Sequence, residues 1–276
     1  MGKTEESQIY DSAKQTSPAL EELQEIIRYR DLIIQVVRRD ILTRYKRSFL
    51  GVAWTMLNPL GTMIVLTIVF SQAFGTGFSY AAYVLSGLIA WNFFQQTTNA
   101  AISHLVWGGT LLKRIYVPRT VFAFSALGTG LFNLLLSLVP LLLVMVITSV
   151  PIQATILFLP IPILFLAIFS LGVGLLVSAL AVFYTDIAEM YQIILTAWMY
   201  LTPIIYPEDI LPEQFRVLIA IFNPMYHLVR LFRAPLYYGE IPSLEELLIS
   251  GLIASVTLII GWIIFTRRSD EFAYRI

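Results

Sequence analysis

Polar and apolar positions in this chain are sorted into blocks of tens of residues. No formal charge occurs from Ser48 to Leu112, a run of 65 residues, and none from Thr120 to Thr185, a run of 66. A helix that crosses the hydrocarbon of a bilayer takes about 20 apolar residues. Breaks at Gly75–Ala82 and at Ser149–Ala154, with Pro151, cut these runs into helical hairpins. The pattern predicts six spans, at Leu50–Phe74, Tyr83–Val106, Thr120–Thr148, Thr155–Phe183, Glu189–Tyr206 and Leu247–Thr266.

Two further segments break the pattern. In the N-terminal part, Leu23, Ile27, Ile34, Val37, Ile41 and Tyr45 recur at helical spacing among Arg28, Arg38, Arg39, Lys46 and Arg47. Such a basic amphipathic helix is suited to the inner leaflet. In the loop Pro207–Glu246, the apolar stretches Phe215–Phe222 and Met225–Tyr238 are too short to span. Pro212, Asn223-Pro224 and Pro235 divide them, which predicts short re-entrant helices in the outer leaflet.

The expected fold is therefore an all-α integral membrane protein. Residues 1–19 are a disordered extension, 20–49 an amphipathic interface helix, 50–266 a six-span domain and 267–276 a tail. Residues 207–246 hold the re-entrant region.

Charge supplies the orientation. Fifteen of the 18 Lys and Arg fall on the side that carries both termini; only Arg216, Arg230 and Arg233 fall on the other. Cytoplasmic segments are enriched in Lys and Arg, so both termini are expected in the cytoplasm. A net charge of zero argues against a nucleic-acid partner. Zero cysteines exclude disulfides and thiol chemistry.

The chemistry expected of a self-sufficient pump or enzyme is missing. The spans lack the internal charges that mark ion pathways. His104 is expected to be a hydrogen-bonded structural residue, and His227 has no partner at metal-ligand spacing. Asp186 and Glu189 are expected to cap the fifth span rather than to form a catalytic pair. No phosphate-binding glycine loop is present. Energy for transport would have to come from another polypeptide, which points to an ATPase on the cytoplasmic face. No catalytic, cofactor-binding or metal residues are assigned; ATP and Mg would belong to the partner.

The polar content of the spans is neutral. Asn92, Gln95, Gln96, Thr97, Thr98 and Asn99 interrupt the second span, where amides facing lipid would be costly. Trp54, Phe70, Phe74, Trp91, Tyr191, Trp198, Tyr200 and Tyr206 are candidate channel residues, because sugar rings stack on aromatic faces. Interfacial belts and helix packing account for membrane aromatics equally well.

Four sequence blocks carry a resemblance. Arg38-Arg39-Asp40-Ile41-Leu42-Thr43-Arg44-Tyr45-Lys46-Arg47-Ser48-Phe49-Leu50-Gly51-Val52-Ala53-Trp54 leads into Asn58-Pro59. Val182-Phe183-Tyr184-Thr185-Asp186-Ile187 joins the fourth and fifth spans. Leu201-Thr202-Pro203-Ile204-Ile205-Tyr206 is followed by Ile210-Leu211-Pro212, and Asn223-Pro224-Met225-Tyr226 comes last. In order and spacing they resemble the polysaccharide-export permeases of the ABC-2 type over about Arg28 to Arg268.

The resemblance implies a half-transporter in the bacterial or archaeal cytoplasmic membrane. Two copies would form a channel driven by two separate ATPase subunits, and hydrolysis would occur only on the partner. The substrate would be a lipid-linked O-antigen, a capsular polysaccharide or a teichoic acid. The coupling helix would fall at Leu111–Arg119, with Lys113, Arg114, Ile115, Tyr116, Pro118 and Arg119 at the ATPase, joined by Asp186 and Glu189. The first, second and fifth spans would line the channel, with Pro59 kinking the first. Phe215, Phe222, Leu228, Arg230 and Arg233 would belong to an outer gate. A drug exporter of the same architecture, a lipid-carrier transferase and a passive scaffold are the alternatives.

Overall fold

The computed structural model describes residues 25–46, 49–72, 79–106 and 118–272, together with Glu22 and Phe74. Residues 1–19 and the coupling residues Lys113, Arg114, Ile115 and Tyr116 lie outside the described residues. Among the described residues all regular structure is helical and there is no strand. We number the helices α1 (Arg30–Tyr45), α2 (Ala53–Phe70), α3 (Ser79–Val106), α4 (Thr120–Ile147), α5 (Pro160–Phe183), α6 (Ile187–Leu201), α7 (Glu213–Phe222), α8 (Pro224–Arg233) and α9 (Leu244–Arg268).

Helix α3 is the central post, packed against both α4 and α5. Its first half is almost wholly buried, and glycines set the closest approaches. A Cβ on Gly130 of α4 would run into Thr97 of α3. The α5–α9 seam is tighter still: a Cβ on Gly261 would collide with the Gly172 carbonyl, and one on Gly172 would lie 2.6 Å from the Leu258 nitrogen. Lipid gives little hydrophobic drive for helices to associate, so small residues that bring backbones together supply the packing. A wedge of Trp91, Phe94, Phe169 and Trp198 joins α3, α5 and α6, with the Phe94 and Trp198 ring centroids 5.2 Å apart.

Four helical segments are long and apolar enough to cross a membrane: Ala53–Phe70, Thr120–Ile147, Ala154–Phe183 and Leu244–Arg268. Helices α7 and α8, the latter continued through the π-helical turn Ala234–Tyr238, form a pair bent by 99° that would bring the number to five. The other two expected spans depart from this standard for separate reasons. Helix α3 has 28 residues, about 42 Å of helix, but its amides lower its hydropathy. Helix α6 has 15 residues, about 22 Å, because Thr202-Pro203 ends it early. The chain is a multi-pass membrane protein.

Helices α2 and α1 are among those left largely uncovered. Only 11% of α2 is buried, and Ile64, Val65, Ile68 and Val69 face outward. Helix α2 continues unbroken through Pro59, which is itself buried. Helix α1 lies along α4, where Val37 sits against Gly128. The apolar face expected from the sequence packs only in part: Val37 and Ile41 are half-buried. Val36 is buried, whereas Ile27 and Ile34 are 68% and 62% exposed. Apolar residues occupy more than one side of α1, and contact with α4 selects among them.

Candidate functional site

Neutral polar side chains of α3 form a strip that neighbouring helices extend. Asn133 Nδ2 on α4 donates to Gln96 Oε1 at 3.3 Å. One turn along α3, Asn99 Oδ1 accepts from Gln192 Nε2 of α6 at 2.6 Å. Beneath it the Tyr191 hydroxyl donates to Thr98 Oγ1 at 2.9 Å. Thr196 continues the exposed polar line of α6, and Trp54 and Asn58 of α2 line a cavity together with Gln96. Amides held by one another at the protein surface present hydrogen-bonding groups to a wet or sugar-filled space at much lower cost than to lipid. The α3 amides were visible as an interruption in the sequence. Gln192 and Thr196 were missed, although with Glu189 they follow helical steps of three and four.

The outer bend is held from two directions. Asn223, at the corner between α7 and α8, accepts from Met225 N at 3.1 Å and caps α8. It also accepts from Trp198 Nε1 at 2.8 Å and donates to the Leu201 carbonyl at 3.1 Å. Arg233 enters from the end of α8 and is only 3% exposed. Its guanidinium donates to the carbonyls of Pro203 at 2.6 Å, Ile204 at 3.0 Å and Tyr83 at 3.2 Å. Its Cζ lies 3.7 Å from the Tyr83 ring centroid. The planar fork of an arginine suits such a cage, and Gly87 leaves the space it fills. A second cluster nearer the surface joins Arg230 Nε to Glu246 at 3.0 Å and the Tyr226 hydroxyl to Glu208 at 2.6 Å.

At the opposite end, α1 is clipped to the helical core. Asp40 pairs with Arg39 at 3.0 Å and with His104 Nε2 of α3 at 3.1 Å. The other His104 nitrogen faces the Phe122 carbonyl at 3.4 Å. Burial pushes the Asp40 carboxyl up, but His104 and Arg39 more than offset it and hold it below the ordinary carboxylate value. Glu22 accepts from the Thr120 hydroxyl at 2.6 Å, a second tie between the N-terminal segment and α4.

These placements separate the expected site residues. Trp91 and Tyr191 are 1% and 5% exposed, so their rings serve the packed interior rather than an open path. Trp198 is tied into the same wedge, and Phe70 and Phe74 stack on each other at 5.6 Å. Trp54 and Tyr200 stay 55% and 62% exposed, and Tyr206 is half-buried with its hydroxyl on the Tyr200 carbonyl.

Among the outer-gate residues, Phe215 and Phe222 are exposed and Arg230 belongs to the surface cluster. Leu228 is fully buried and Arg233 is caged, so neither projects into an exit. Asp186 stands at the N-cap position of α6 without a side-chain capping bond, since its backbone is already helical; it and Glu189 are exposed. Pro118 is buried, and the Arg119 guanidinium lies 5.6 Å from the Phe272 ring centroid. His227 Nε2 lies 2.7 Å from the Ala220 carbonyl. Among the described residues no group of three His, Asp or Glu is placed to hold a metal.

Known proteins share this chain's pattern over most of its length. It is 31% identical over 255 residues to the O-antigen export system permease protein RfbA of Myxococcus xanthus, covering 91% of this chain and 97% of that protein. The protein of the same name from Klebsiella pneumoniae is 24% identical over 88% of this chain and 94% of its own length. The capsule polysaccharide export inner-membrane protein CtrC of Neisseria meningitidis is 23% identical over 90% of this chain and 94% of its own length. The family model described as ABC-2 type transporter matches residues 31–237, a stretch that runs from the clipped helix α1 through the polar strip to the caged Arg233. With that match over most of its length, the chain belongs to the ABC-2 type transporter family.

Proposed function

We propose that this chain is the membrane permease of an ATP-driven exporter that moves lipid-linked polysaccharide, in the first place O-antigen, across the cytoplasmic membrane. The observation that carries the reading is the 31% identity to an O-antigen export permease, which extends over 97% of that relative. Two copies pair around the path, and two separate ATPase subunits supply ATP, Mg and hydrolysis. The uncovered α2 supports pairing, because its apolar face and the polar groups beside it cannot both be suited to lipid. Six crossings, with α3 and α6 completed inside the dimer, leave both termini in the cytoplasm, in keeping with the bias of Lys and Arg. The segment Leu111–Arg119, with Asp186 and Glu189, meets the ATPase, and α1 follows its movements through the Asp40–His104 contact. Exposed Phe215 and Phe222 stand at the outer exit.

Expression of this chain with a partner ATPase of an O-antigen exporter should restore surface polysaccharide to a strain that lacks its own O-antigen permease. In the purified complex, lipid-linked glycan should stimulate ATP hydrolysis. Stimulation by hydrophobic drugs and not by glycan would overturn the reading.

A further inference from the structure

A cavity of about 290 Å³ lies between the end of α1, the start of α2 and the middle of α3. It is lined by Arg44, Trp54, Thr55, Asn58, Pro59 and Gln96. Arg44 is exposed and forms no ion pair among the described residues. Trp54 offers an indole that is 55% exposed. Asn58 is exposed, and the Asn133 bond to the Gln96 oxygen leaves the Gln96 amide N–H groups as donors.

The combination is selective in its chemistry. A site for a bare polyanion would gather several cations, and a site for an acyl chain would be apolar. Among the described lining residues, one cation beside one flat aromatic ring and two amides fits a phosphate carried next to a sugar ring: charge-assisted bonds hold the phosphate, stacking holds the ring, and amides hold hydroxyls. The volume is at the small end for ligand pockets, which run from about 300 Å³. It suits one sugar-phosphate unit. Its depth fits as well, because Arg44 ends the basic helix and Trp54 lies in the first turn of α2, just inside the charge-free run that begins at Ser48. That boundary is where lipid head groups lie.

We propose that this cavity receives the sugar-phosphate head group of the lipid-linked polysaccharide, with Arg44 on the phosphate, Trp54 against the first sugar, and Asn58 and Gln96 on its hydroxyls. The assignment rests on the proposed function for the lipid-linked nature of the substrate. An ordinary phospholipid such as phosphatidylglycerol shares the phosphate and hydroxyl chemistry but has no sugar ring, so Trp54 separates the two sources.

The test uses the full chain in phosphatidylcholine nanodiscs, with farnesyl-diphosphate N-acetylglucosamine and farnesyl diphosphate as probes. Arg44→Gln should weaken both probes about ten-fold or more. Trp54→Ala should weaken the sugar probe about five-fold and leave farnesyl diphosphate unchanged, with Trp54→Phe keeping most of the binding. Both side chains are exposed, so neither truncation removes core packing. Equal binding of both probes by wild type, Arg44→Gln and Trp54→Ala overturns the site, as does displacement of the sugar probe by phosphatidylglycerol at equal concentration. Export in cells separates the two readings. Undiminished export by both variants overturns the site and leaves the function standing. Failure of the wild type to restore export, with the probe binding as expected, overturns the function and supports the site.

Discussion

Replacing Gly87 with alanine puts a methyl group where the Arg233 guanidinium now lies, with Arg233 Cζ only 3.1 Å from the added carbon. The arginine must withdraw Nη2 from the carbonyls of Tyr83 and Ile204. The Tyr83 carbonyl keeps a bond from the Ser86 hydroxyl at 2.8 Å, whereas no other hydrogen bond to the Ile204 carbonyl is found among the described residues. Hydrogen bonds to a charged group contribute about 1.5–3 kcal/mol each, so losing two costs about 3–6 kcal/mol. Alanine returns about 1 kcal/mol of helix propensity. The net loss expected is about 2–5 kcal/mol.

In an Arg233→Met background the methyl meets no guanidinium and only the Ile204 Cγ2 at 3.2 Å remains close, so Gly87→Ala should cost much less there. Apparent unfolding of the four proteins of this cycle, in SDS titrations of the purified chain, measures the coupling between the two positions. An equal penalty for Gly87→Ala in both backgrounds would refute the cage as the reason for the glycine.

Three other outcomes follow from the packing and the clip. Gly261→Ala should lower the apparent melting temperature by the equivalent of about 1–3 kcal/mol because α5 and α9 must separate, whereas Gly61→Ala, which meets open space, should have no such cost. In detergent, Phe222→Cys should react with N-ethylmaleimide at least ten-fold faster than Leu228→Cys, since Phe222 is 76% exposed and Leu228 fully buried; equal rates would contradict the bend. The lowered carboxyl of Asp40 means that its contribution is present above the unfolded value of about 4 and is lost only as pH falls through its lower native value. Hydrogen exchange across α1, corrected for intrinsic rates, should therefore show no loss of protection from pH 8 to 5, and Asp40→Asn should show faster exchange throughout. A loss of protection already between pH 7 and 5 in the wild type would count against the clip.

Much of the architecture was legible along the chain. The charge-free runs dictated long apolar helices, because an unpaired charge in hydrocarbon is costly. Asn223-Pro224 marked a corner, and there the 99° bend is found, with the amide of Asn223 capping α8. The amides from Asn92 to Asn99 marked a polar strip, since they had to meet something other than lipid. Family membership was legible separately, in the order and spacing of four sequence blocks, of which Asn223-Pro224-Met225-Tyr226 is one.

The tertiary structure decided which side of each helix is covered. Lipid tails and protein interior are equally apolar, so the pattern that separates water from core in a soluble protein does not separate core from lipid here. Trp91 and Trp54 look alike along the chain, yet one is sealed in a wedge of rings and the other is open beside Arg44. Arg230 and Arg233 lie three residues apart, and one reaches Glu246 at the surface while the other is caged. The cage is assembled from carbonyls 29, 30 and 150 residues away in sequence. Every residue but proline carries the same acceptor and donor on its backbone, and proline keeps the acceptor. No side-chain pattern announces which carbonyls will converge; only the folding of α3, α6 and α8 onto one another brings them to Arg233.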